Sequence, residues 1–169
     1  VFTNSPYCLQ QLAIGSNLTV NGGSLAFYSV STNMAQMTVN GNMIMTNGAK
    51  LFVYSGLTNA VVPYGAVVSV AGNVTITTNS WVYPVSDGIN GGSPVFRMRN
   101  LTLAGGTTAG FDANGAGFRG DSGPGKGLTS GSGWYGGGGY GGQGGPTTFN
   151  QPNNTGGPVY GAPEAPVFP

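Results

Sequence analysis

Charge is the scarcest feature of this sequence. Five basic and four acidic side chains among 169 residues make only 5 % of it charged, and histidine is absent. An ordinary soluble domain is about one quarter charged. A chain this close to neutral has no electrostatic footprint for DNA, RNA or an acidic membrane surface. Its neutral polar surface is expected to touch other protein or to carry sugar. Without histidine, acid–base chemistry would fall to Asp87, Asp112, Asp121 and Glu164, and these form no cluster in the sequence. Cys8 is the only cysteine, so an internal disulfide is excluded. It reads as a small buried hydrophobe, with an intermolecular bridge as the alternative. No apolar run approaches the roughly 18 residues that a membrane-spanning helix needs. Helical periodicity of 3.6 residues is missing throughout. The chain opens at Val1 without Met, from which a processed start is expected.

Glycine and alternating apolar residues are abundant. Laid against itself, the chain shows four copies of one pattern: Leu12 to Ser29, Met37 to Ser55, Val68 to Ser86, and a degraded copy from Phe96 to Ala113. Aligned on Asn17, Asn42, Asn73 and Asn100, the copies are 25, 31 and 27 residues apart. Each holds three short runs with apolar residues at every second position, the mark of strands with one buried face. Asn-Gly, Gly-Gly, Ala-Gly and Thr-Asn separate the runs and turn the chain sharply. Three strands per copy at such a period predict a parallel β-helix in which each copy is one coil. Leu18/Val20, Met43/Met45, Val74/Ile76 and Leu101/Leu103 should stack as one inward ladder. Leu25/Phe27, Leu51/Val53 and Trp81/Tyr83 should form a second, with Phe111 as its last member. An antiparallel sandwich also accommodates strands at this spacing. It has no need, however, for the same asparagine and the same inward pair to recur at one phase.

The recurring asparagines have two readings. Asn17, Asn73, Asn100 and Asn153 begin N-x-[ST] sequons and are candidate glycosylation sites. Alternatively, Asn17, Asn42, Asn73 and Asn100 form a hydrogen-bonded ladder at a coil corner, where Asn can take the left-handed conformation. Asn42 shares the column but is followed by Met43 and Ile44, so it is no sequon. The ladder reading is favoured for the column, and Asn153 is the best glycan candidate.

Residues 115–145 are about half glycine. Arg119, Gly120, Asp121 and Ser122 spell the RGDS that integrins read on exposed turns, a pattern that chance also supplies in glycine-rich sequence. Gly120, Gly125 and Lys126 approach a P-loop. Gly127, however, stands where Ser or Thr must ligate the metal, and no helix follows. Arg97 and Arg99 alternate outward on the last copy, suited to a sugar polymer's carboxylate or to a solvated edge. "TITT" at Thr75 to Thr78 is a water-ordering pattern of the ice-binding kind, but Thr19, Thr38 and Thr102 do not extend it regularly. No cofactor or metal site is expected. Phe118, Leu128, Trp134, Tyr135 and Tyr140 punctuate the block, which flexible linkers avoid. Close-packed glycine backbone, as in polyglycine II, is the expected state.

The runs Gly136–Gly139, Gly141, Gly142, Gly144 and Gly145, followed by Gly156, Gly157, Tyr160, Gly161 and Pro166, resemble an element of glycine-rich extracellular parallel β-helix proteins of the bacterial surface-protein and adhesin type. The resemblance covers roughly residues 95–166. It implies a scaffold role outside the cell and brings no activity with it. Tyr140 stands where that pattern often has His, which removes a metal-site reading.

The expected architecture is therefore all-β. Residues 1–113 form about four coils of a short parallel β-helix. Residues 114–169 form a packed glycine-rich segment and an extended Pro-rich tail, continuous with the coils. The expected role is a non-enzymatic structural subunit of an extracellular filament or surface layer, a helical homopolymer built by coil stacking and tail docking. Phe2, Tyr7, Trp134, Tyr135, Tyr140, Val167 and Phe168 are the expected subunit contacts. The alternative is a carbohydrate-binding or carbohydrate-cleaving β-helix.

Overall fold

The computed structural model describes residues 2–3, 6–9, 11–28, 35–58, 64–89, 92–119, 122–127, 136–139, 143–146 and 156–159, with the backbone alone for 2–9 and Ala35. The chain divides into two compact units. One holds residues 1–87 and 92–117; the other holds 88–91 and 118–169.

The first unit is a parallel β-helix of three sheets. Sheet A runs β1 (Phe2–Thr3), β4 (Leu18–Asn21), β7 (Met43–Thr46), β10 (Asn73–Ile76) and β13 (Asn100–Leu103). Sheet B runs β2 (Pro6–Leu9), β5 (Ser24–Tyr28), β8 (Lys50–Tyr54), β11 (Trp81–Val85) and β14 (Gly110–Phe111). Sheet C runs β3 (Gln11–Ile14), β6 (Ala35–Val39), β9 (Ala66–Val70) and β12 (Pro94–Arg97). The chain visits A, B and C in turn and returns to A one strand further along, and all neighbouring strands are parallel. Each sequence copy supplies one strand to C, then A, then B. Strands β1 and β2 precede the first copy. A 3-10 turn at Gly106–Thr108 is the only helical element among the described residues.

Each inward column arises because period-two residues point to one face and parallel pairing sets equivalent residues side by side. In sheet A, Leu18, Met43, Val74 and Leu101 form one column and Val20, Met45, Ile76 and Leu103 the other. In sheet C, Met37 lies between Leu12 and Val68, and Val39 between Ile14 and Val70. Leu18 to Ile76 in sheet A and Met37 to Val70 in sheet C are buried. Burying one such aliphatic side chain is worth about 1.5–3 kcal/mol.

Sheet B corrects one expectation. Leu25 pairs with Leu51 and Phe27 with Val53, as expected, but Leu51 pairs with Val82, and Trp81 pairs with Lys50. Val82 is buried, while Trp81 and Tyr83 lie on the outward face with Lys50 and Phe52. The cause is the corner before the strand. Ala49 and Ser80 both sit inside it, completely buried. The Ala49 N–H donates to Ser80 Oγ at 3.2 Å. Asn47 and Asn79 take the left-handed conformation two residues before Ala49 and one before Ser80, at φ 56° and 61°. The small interior residue comes first, so the strand enters one residue late, and a one-residue slip exchanges the faces.

The corner from sheet B to sheet C is the longest and most variable. It separates Tyr28 from Ala35, Tyr54 from Ala66 and Val85 from Pro94, and so absorbs most of the unequal spacing of the copies. The Arg97 guanidinium lies 5.8 Å above the Tyr64 ring beside this corner.

In the second unit, four glycine-bearing segments (122–127, 136–139, 143–146 and 156–159) approach backbone to backbone. Gly137 donates to the Gly145 carbonyl at 2.8 Å and Gly139 to that of Gly125 at 2.8 Å. Gly157 donates to Gly137 at 2.8 Å, and Gly144 to Gly157 at 3.0 Å. Segment 136–139 thus has three bonded neighbours. Residues two apart on a β-strand would bond the same side, yet Gly137 and Gly139 donate to different segments. Gly123 has a φ of 88°, whereas Gly125, Gly137, Gly139, Gly144, Gly145 and Gly157 are not in the positive-φ region. Segment 122–127 itself contains a turn, in which the Lys126 N–H donates to the Gly123 carbonyl at 3.3 Å. A Cβ on Gly144 or Gly156 would run into the carbonyls of Gly137 and Gly144 respectively, so the bundle closes only on bare backbone.

Candidate functional site

In the last described coil of the β-helix, the inward columns lose their burial. Along the inward columns, exposure rises from 3 % at Val74 to 43 % at Leu101, from 0 % at Ile76 to 47 % at Leu103, and from 1 % at Val82 to 36 % at Phe111. These residues keep their inward register, and among the described residues no further coil follows theirs. Phe111 meets Phe96 edge to face, centroids 5.2 Å apart. Strands β12, β13 and β14 are the last strands of their sheets among the described residues, so their outer backbone groups form an open edge. Sequence reading placed Leu101, Leu103 and Phe111 in the columns, with Phe111 as a last member, but did not single them out as exposed.

The asparagine column forms the expected ladder. The Asn42 N–H donates to Asn17 Oδ1 at 2.7 Å and the Asn73 N–H to Asn42 Oδ1 at 2.8 Å. The residue before each donor is glycine, and a Cβ on Gly41 or Gly72 would strike the incoming Asn17 or Asn42 oxygen. These asparagines are not in the left-handed region. Asn47 and Asn79, at a different corner, are the described non-glycine residues that are. Asn17, Asn73 and Asn100 are exposed. Asn153 lies outside the described residues.

Two outward faces are ordered. On sheet B, Tyr28 stacks on Tyr54 with centroids 4.4 Å apart, and Phe52 on Tyr83 at 4.6 Å. Sequence reading missed this aromatic face because Trp81 and Tyr83 were assigned inward. On sheet A, Thr19, Ile44, Thr75 and Thr102 share one outward column. The threonines therefore align across coils more regularly than spacing suggested, with Ile44 interrupting them. The Thr77 hydroxyl donates to the Thr46 hydroxyl at 3.1 Å.

Asp112 accepts from the Asn114 N–H at 3.0 Å, Arg97 covers Tyr64, and Arg99 is exposed. Among the described residues no group of His, Cys, Asp or Glu is placed to hold a metal ion, and no helix is long and apolar enough to cross a membrane. Arg119 and Ser122 are joined by a turn, Ser122 N–H to Arg119 carbonyl at 3.1 Å; Gly120 and Asp121 lie outside the described residues. Of the expected subunit contacts, Phe2 pairs in register with Val20 and Tyr7 with Leu25. Trp134, Tyr135, Tyr140, Val167 and Phe168 lie outside the described residues. Compared with protein-family models, curated proteins and solved structures, the chain finds no match.

Proposed function

We propose that this protein is a non-enzymatic structural subunit of an extracellular filament or surface layer, assembling head to tail. The observation that carries the proposal is the last described coil, where Leu101, Leu103 and Phe111 stand 36–47 % exposed in columns that are buried in the preceding described coils. A further coil from another copy would bury them and pair the open edge. Contact between unlike ends propagates rather than closing into a dimer. The 5 % charge content opposes such stacking little. The resemblance of the glycine-rich runs to extracellular surface proteins supports a location outside the cell. Electron microscopy of concentrated protein tests the reading: fibres are expected. The Leu101→Lys, Leu103→Lys double variant should stay monomeric with its β-sheet circular dichroism retained. Intact protein that remains monomeric at high concentration would reject the reading.

A carbohydrate-binding role is the second reading, favoured by the outward aromatic face of sheet B. Sugar rings stack on aromatic faces, however, and here the Tyr28 and Tyr54 rings, at an interplanar angle of 0°, cover each other. Pull-down on insoluble polysaccharides separates the two readings.

A further inference from the structure

The dipeptide Asn-Gly occurs five times, beginning at Asn21, Asn40, Asn47, Asn90 and Asn114. It is the asparagine sequence most open to self-modification. The next backbone nitrogen can reach the side-chain amide, and glycine puts no Cβ in its way. The filament reading uses none of these pairs. Asn90 and Gly91 lie outside the described residues.

The fold sorts the other four. The attacking atom is the glycine nitrogen, so the question is whether its N–H is held. The Gly22 N–H donates to the Thr46 carbonyl at 2.9 Å, and the Gly41 N–H to the Ser16 carbonyl at 3.0 Å. Both bonds join adjacent coils, and neither nitrogen is released unless the coils part locally. The Gly48 and Gly115 N–H groups meet no acceptor among the described residues. Each lies inside a turn closed by its neighbours. The Ala49 N–H donates to the Thr46 carbonyl at 3.2 Å, and the Ala116 N–H to the Ala113 carbonyl at 3.0 Å. Exposure alone does not make this division, because Asn40 is exposed, as Asn47 and Asn114 are.

We propose that Asn47 and Asn114 are sites of spontaneous deamidation, and that the inter-coil bonds protect Asn21 and Asn40 from it. The Gly48 nitrogen loses its proton to solvent base and bonds to Asn47 Cγ. The bond from Cγ to Nδ2 breaks, and that nitrogen leaves as ammonia. Water then opens the resulting succinimide at one of its two carbonyls, leaving aspartate or isoaspartate. Asn114 and Gly115 react in the same way.

At Asn47 the change reaches the core. Asn47 Nδ2 donates to Asn21 Oδ1 at 2.6 Å, and a carboxylate has no such proton to give. Isoaspartate also adds one carbon to the backbone of the turn that sets Ala49 inside. Ala49 is completely buried, with its N–H on Ser80 Oγ. A longer turn cannot keep both its closing bond and Ala49 in place. Deamidation at Asn47 therefore loosens a corner tied to the coils on either side of it.

The test is incubation of the full-length protein in mildly alkaline buffer, followed by proteolysis and mass spectrometry that separates aspartate from isoaspartate. In the folded protein, Asn47 and Asn114 should convert at least about tenfold faster than Asn21 and Asn40, whose reaction waits on local opening of the coils. In denaturant the four rates should converge. Equal rates in the folded protein overturn the proposal, and so does faster conversion at Asn21 or Asn40. The Asn47→Gly variant cannot form the succinimide at that position, and glycine accepts the left-handed conformation held there, φ 56°. After the same incubation, the intact protein should have a lowered Tm and Asn47→Gly should not. Equal loss in both overturns the role given to Asn47.

Discussion

Asn73 and Asn100 meet side chain to side chain, Asn100 Nδ2 donating to Asn73 Oδ1 at 2.9 Å. One coil earlier, Asn42 Oδ1 is met by the backbone N–H of Asn73. The difference lies in the preceding residue. Arg99 continues the backbone column of Ser16, Gly41 and Gly72, its N–H donating to the Gly72 carbonyl at 3.0 Å. It brings a Cβ where Gly41 and Gly72 have none, and so closes the space through which an asparagine oxygen reaches the next backbone. Gly72→Ala is therefore expected to expel Asn42 Oδ1 and destabilise the β-helix by about 1–3 kcal/mol, the cost of a lost hydrogen bond plus crowding. Thermal unfolding measures it; an unchanged Tm would contradict this role.

Arg99→Gly should act in the opposite sense. It reopens the space and lets Asn73 Oδ1 reach the Asn100 N–H. The expected readout is slower hydrogen exchange at the Asn100 amide, with little change in Tm, since glycine's conformational entropy offsets part of the gain.

Ile76 and Met45 are paired across adjacent coils and both are completely buried. Ile76→Asp should cost several kcal/mol, because a charge would sit in an apolar column without a partner. Ile76→Val should cost about 0.5–1.5 kcal/mol. Denaturant melts of the two variants give both numbers.

The faces of sheet B make a pairwise test. Val82→Asp is expected to unfold the third coil, whereas Trp81→Thr should cost only about 1 kcal/mol, as for a partly exposed position. Coupling between Phe52 and Tyr83, whose rings lie 4.6 Å apart, should be about 0.5–1.5 kcal/mol in a double-mutant cycle. Equal damage from Val82→Asp and Trp81→Thr would refute the register.

In the glycine bundle, position decides tolerance. Gly144→Ala or Gly156→Ala should abolish exchange protection at Gly137, Gly139 and Gly157, because each added Cβ meets a carbonyl. Gly145→Ala should leave that protection unchanged.

Much of the β-helix was legible because its signals are carried by side chains at fixed phase. The Met43/Val74 and Met45/Ile76 pairs and the column from Asn17 to Asn100 could be read from spacing alone. Trp81 could not, since a large aromatic in an alternating run looks like core. Only the small residue before it, Ser80 matching Ala49, marks the late entry. Strands β1 and β2 lie in residues that repeat nothing and were read only as extended chain. The pairings of the glycine segments were not legible. Glycine has no side chain to show a phase, so Gly137 and Gly139 look alike in sequence while bonding different neighbours.

The unequal corner between sheets B and C has a practical consequence. Three passages of different length occur there within one chain, and every strand on either side keeps its register. Doubling the length of a flexible loop adds only about 0.6 kcal/mol of closure cost. A foreign epitope or small binding module spliced between Tyr54 and Ala66 should therefore be carried without repacking the columns. In the fibre proposed above, it would be displayed once per subunit.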